Sequence, residues 1–147
     1  MVNFKFWQTW LLGVSALIIL FGALIALLNW TDAFAIFNWL VNGTFWPGMP
    51  QPQDVESFKL WAYGMLGATM VGWGIFLSYI VCYPFAKMEK WSWDCIALGV
   101  GAWFAIDTAI SAYVGAYFNV AVNLLILALA ALPLAMVRSH FAKEISP

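Results

Sequence analysis

Four long apolar runs constrain this chain more than any other feature. They cover residues 6–28, 55–83, 93–114 and 119–138, and each carries few charges. A helix rises about 1.5 Å per residue, so about twenty apolar residues suffice to cross the ~30 Å hydrocarbon of a bilayer. Within lipid the backbone must satisfy its own N–H and C=O groups, and a lone run does so as a helix. The expected fold is therefore all-α: one transmembrane domain over residues 1–147, built as a left-handed four-helix bundle. Only 9% of residues are charged, where a soluble domain carries about 25%, and the mean hydropathy is +0.87.

The first run, from Phe6 to Leu28, is interrupted only by Gln8, Thr9 and Ser15 as polar residues. It exceeds the apolar core of a cleavable signal, about 7–15 residues, and ends in Leu-Leu-Asn-Trp rather than at a small-residue cleavage site. It reads as a true spanning helix, with Trp7 and Trp10 at one interface and Trp30 at the other. The loop over 29–54 holds Phe34, Phe37 and Leu40 at helical spacing, after Thr31 and Asp32 as candidate caps. That segment is too short to span, so a short amphipathic helix lying on the membrane surface is expected. Pro47, Pro50 and Pro52 then interrupt regular structure, as an ordered connector or a lid.

Asp54 is a candidate N-cap for the second span, which Pro84 stops. Gly64, Ala68 and Gly72 fall four apart on it, a strip where another helix can approach closely. Gly67, Gly74 and Ser78 form a second small-residue strip. The turn Val114 to Phe118 joins the last two spans, and Pro133 lies near the end of the fourth, where a kink is tolerated if neighbours or water satisfy the carbonyl it frees. Lys5, Lys87, Lys90, Arg138 and Lys143 collect on one side of a four-span topology, with Lys59 alone on the other. The positive-inside rule makes the first side cytoplasmic, with both termini there, in a bacterial inner membrane or a plasma membrane.

Composition also excludes. A net charge of −1 with no basic run gives nothing to hold phosphates, so nucleic acid is not an expected partner. One histidine, His140, and two cysteines, Cys82 and Cys95, leave no metal or haem ligand set, and no cofactor is expected. A reducing compartment disfavours a disulfide, and both cysteines read as small buried apolar residues. No phosphate loop or catalytic triad pattern occurs. The sequons at Asn29 and Asn42 carry meaning only in a glycosylating compartment.

Asp107 is the exception inside the spans. A carboxyl group at membrane depth costs several kcal/mol, so it must face protein or water and have a partner. Trp103 and Ser111 lie one helical turn to either side, and Thr108 is adjacent. Antiparallel pairing across the last turn brings Asn123 within a turn of Asp107, with Asn119 one turn farther out on the same face. Asp107, Ser111, Thr108, Asn119, Asn123 and Trp103 therefore form the candidate site. Trp73 and Trp103 fall at nearly equal depth, either stacked or lining a pocket.

Two functional readings compete. In the leading one the chain is an accessory subunit of a larger membrane assembly, its partners being lipid and other membrane chains or a second copy. Smooth glycine faces and a single intramembrane acid, acting as a staple between helices, point that way. The rival is binding or transport of a lipophilic or cationic ligand, or a proton, at Asp107. An enzyme needs a second acid or base that the spans do not supply.

Overall fold

The computed structural model describes residues 3–49 and 52–141; Pro50 and Lys143, used above, lie outside them. The described chain is all-α. Its helices are α1 (Phe4–Leu28), α2 (Ala35–Phe45), α3 (Gln53–Cys82), α4 (Lys90–Tyr113) and α5 (Tyr117–Phe141), with a 3-10 turn over Asp32–Phe34. The helices α1, α3, α4 and α5 are long and apolar enough to cross a membrane. The chain divides into two compact units, and α1 and α3 each contribute to both.

Unit one comprises residues 1–16 and 75–147. Asn3 starts α1, its Oδ1 accepting the Phe6 N–H at 3.1 Å. In the loop after α3, Phe85 is fully buried, its ring 5.7 Å from that of Phe4 and 4.7 Å from that of Phe141. Leu11, Val81, Ile96, Val100, Leu134 and Val137 are among the other residues buried in this unit. Pro84 ends α3 as expected. Its missing N–H leaves the Ile80 carbonyl to the Phe85 N–H at 3.0 Å, and the Gln8 side chain donates to the Val81 carbonyl at 3.0 Å. Met88 adopts a left-handed φ of 61° within the following loop, where the Glu89 N–H closes onto the Pro84 carbonyl at 3.1 Å.

The turn between α4 and α5 is tighter than its composition implied. Gly115 takes φ 79°, the Ala116 N–H bonds the Ser111 carbonyl at 2.8 Å, and the Gly115 N–H bonds that of Ala112 at 3.2 Å. This is a Schellman ending, and only a residue without Cβ enters that φ without strain. Phe118, expected in the turn, already belongs to α5.

Unit two comprises residues 17–74. Its helices meet through glycine. A Cβ built on Gly22 would lie 2.7 Å from the Gly67 carbonyl oxygen and 2.8 Å from the Met70 Cβ, and one on Gly67 would collide with Gly22 and Ala26 backbone. Phe34 is buried against Phe37 at 4.7 Å, and both rings meet Tyr63, at 5.9 and 5.6 Å. Ile36 and Trp39 point outward from α2.

Two capping expectations need correction. Thr31 does precede the 3-10 turn, but its hydroxyl donates back to the Leu28 carbonyl at 2.8 Å instead of capping forward. Asp54 sits inside the first turn of α3 because the Pro52 carbonyl already accepts the Val55 N–H at 3.0 Å, starting the helix earlier.

Candidate functional site

Asp107 is half-buried on α4 and held by two neighbours. Ser111, one turn later and buried, donates its hydroxyl to Asp107 Oδ1 at 3.0 Å. Asn119, in the first turn of α5, donates from Nδ2 to the same Oδ1 at 2.8 Å and lies 2.8 Å from Ser111 Oγ. The three side chains close a triangle across the hairpin that the Gly115 turn folds. Asn123, almost fully buried, instead donates to Thr108 Oγ1 at 3.2 Å. The six predicted residues thus divide into the triangle, a separate pair of Thr108 with Asn123, and a half-buried Trp103 one turn before Asp107. Depth along antiparallel helices follows from counting residues; which side chain meets which depends on helix rotation, which packing sets.

The remaining predicted positions are placed as follows. Among the described residues, nothing beyond its chain neighbours and its own helix backbone lies within 4 Å of a Cβ built on Gly64 or Gly72, and Ala68 is exposed. The close approach in this unit uses Gly67, from the second small-residue strip. Cys82 and Cys95 are exposed free thiols, which corrects their assignment as buried residues. In a chain of spanning helices an apolar residue is as fitted to lipid as to a core, so apolarity alone does not imply burial. Trp73 and Trp103 belong to different units.

Several contacts were not anticipated. The Trp10 indole N–H donates to the Leu129 carbonyl at 2.9 Å. Leu129 is four residues before Pro133, so this is the carbonyl that proline leaves without its helical donor. The need was legible, but the donor was not. Trp93 likewise donates to the Leu134 carbonyl at 2.9 Å, with the Arg138 guanidinium 5.8 Å from its ring centre. Gly22 and Ala26 are spaced as a small-xxx-small pair, a signal in the first span that marks the contact with Gly67. On α4, Gly101, Ala102, Ala105, Ala109 and Ala112 are all exposed and share one broad face.

The second polar cluster lies in unit two. Lys59 is only 7% exposed, and its ammonium donates to Asn42 Oδ1 at 3.0 Å and to Glu56 Oε1 at 3.3 Å. Glu56 itself is open, with 54% of its side chain exposed. Asn29 is 5% exposed; its Nδ2 donates to the Ile25 carbonyl at 2.8 Å, while its buried Oδ1 has no hydrogen bond. An unmet buried acceptor costs about 1–3 kcal/mol.

Chemically, the Asp107 triangle joins two helices through neutral donors on a carboxyl oxygen. Among the described residues no three His, Cys, Asp or Glu side chains converge on a point that could hold a metal ion. Four helices of spanning length and apolarity give the chain the pattern of an integral membrane protein. Comparison with protein-family models, with curated proteins and with solved structures finds no match in any of the three.

Proposed function

We propose that this protein is an accessory subunit of a membrane assembly, with both termini cytoplasmic and Asp107 acting as the staple of its last hairpin. The observation that carries this reading is the small-residue face of α4, Gly101 to Ala112, which is exposed among the described residues. Lipid solvates large apolar side chains as readily as small ones, whereas small residues let a second helix backbone come close. Gly64, Ala68 and Gly72 repeat the pattern on α3. The Asp107 carboxyl, engaged by Ser111 and Asn119, supports a structural role for the one acid deep in the spans.

Substitution on these faces tests the reading. Ala109→Leu and Gly72→Leu should release the partner chain, or dissociate a homo-oligomer, in mild detergent while the melting temperature of the single chain stays unchanged. An assembly state identical in wild type and both variants would remove the proposal.

A further inference from the structure

We propose that the groove between α4 and α5 at the Arg138 end holds one acyl chain of an anionic phospholipid, with the lipid's phosphate on the Arg138 guanidinium. The groove has a volume of about 410 Å³. Ala97 and Gly101 of α4 and Ala131 and Ala135 of α5 line it with small side chains, which leave space that larger residues would fill. Val100, Leu127 and Leu134 add apolar surface, and Trp93 and Arg138 are the only members of the lining with polar groups on their side chains. All these residues belong to unit one.

The dimensions select a lipid chain. Leu127 and Arg138 are eleven residues apart on α5, about 16 Å at 1.5 Å per residue. Half of a ~30 Å hydrocarbon core is about 15 Å, so the groove is as long as one leaflet is deep. Spread over about 16 Å, the 410 Å³ gives a cross-section of roughly 26 Å², a slot about 5 Å wide. A helix with its side chains is about 10–12 Å across and does not enter such a slot. A single polymethylene chain does.

The headgroup is selected by charge. Arg138 is exposed in the last turn of α5 and carries the one charge in the lining. Its guanidinium lies 5.8 Å from the Trp93 ring centre and, among the described residues, forms no hydrogen bond or ion pair. Its planar N–H fork is therefore available to a phosphate, which it can bind through two parallel bonds. Trp93 is itself fixed, because its indole N–H donates to the Leu134 carbonyl at 2.9 Å. No carboxylate lines the groove to take the ammonium of a zwitterionic headgroup, and Asp94, next to Trp93 in sequence, is not part of the lining. A basic residue at the mouth of a pocket between spanning helices is the arrangement that recognises anionic headgroups. The α5 side of the groove is separate from the small-residue face of α4 on which the subunit role rests, although Gly101 borders both.

The test uses the full-length protein in nanodiscs of equal phosphatidylcholine and phosphatidylglycerol, with oleate added as a competing free acid. Native mass spectrometry then reads the lipid retained on each chain. Wild type should keep one phosphatidylglycerol in preference to phosphatidylcholine by about fivefold or more, and Arg138→Gln should abolish that preference. Arg138 is exposed, so its substitution leaves the fold intact, which an unchanged melting temperature checks. Ala131→Phe fills the slot and should expel the lipid with Arg138 still in place. Ala109→Leu and Gly72→Leu, which test the subunit role, should leave lipid retention unchanged, so the two readings can fail separately. Equal retention of both phospholipids by wild type, a preference unchanged in Arg138→Gln, or retention of oleate in place of phosphatidylglycerol would overturn the proposal. So would an oligomer that Ala131→Phe dissociates, because the groove would then seat a protein chain.

Discussion

At the scale of single residues, two hydrogen-bonding details carry the sharpest predictions. The first is the Trp10 indole on the Leu129 carbonyl. Trp10→Phe keeps most of the ring volume and should lower stability by about 1–3 kcal/mol, because the carbonyl is left unmet. Pro133→Ala restores an N–H four residues after Leu129, so in that background Trp10→Phe should cost much less. Thermal unfolding of the four members of this cycle measures the coupling, and additive losses would show that the two groups do not share the carbonyl. The second is Asp107. Asp107→Asn keeps an oxygen acceptor for Ser111 and Asn119 and should preserve fold and assembly. Asp107→Leu removes it and should destabilise by about 1–3 kcal/mol. If Asp107→Asn instead folds normally but abolishes uptake of a cation or proton into vesicles, the transport reading replaces the staple.

Between elements, the decisive variable is how closely two backbones approach. Gly67 faces Gly22 and Ala26 so tightly that a methyl group would meet backbone atoms, which cannot yield as a flexible side chain can. Gly67→Ala should therefore destabilise unit two by about 1–3 kcal/mol, as overpacking does. Gly64→Ala, on the same helix but with open space around it, should change stability little and gain slightly from helix propensity. Equal effects at both positions, read as melting temperatures in one detergent, would contradict the contact. The hairpin between α4 and α5 depends similarly on Gly115 at φ 79°, where any Cβ is strained.

For the whole molecule, the proposed topology makes a prediction about sides. Cys82 and Cys95 are exposed, so both are first replaced by Ala. A single cysteine at Met49, after α2, and another at Lys87, between α3 and α4, should then label from opposite faces of intact cells or oriented vesicles. Under the proposed orientation, in which the positive-inside rule draws Lys5, Lys87, Lys90 and Arg138 to one side, Lys87 is expected on the cytoplasmic face. Labelling of both positions by the same impermeant reagent would reject the four-span arrangement.

The sequence by itself determined the helices. Length, apolarity and the proline and glycine breaks placed all four long elements within a few residues of their observed ends, because a lipid-spanning backbone has few alternatives to a helix. It also singled out Asp107, since an acid inside an apolar run is visible without knowing what surrounds it. Only the tertiary structure decided that Asn119 rather than Asn123 reaches that acid, that Gly67 and not Gly64 is the point of closest approach, and that Trp10 serves the carbonyl freed by Pro133. It alone showed Lys59 buried beside Asn29. The reason is common to all four. Periodicity fixes where a side chain lies along its own helix, but the rotation of that helix is set by everything packed against it.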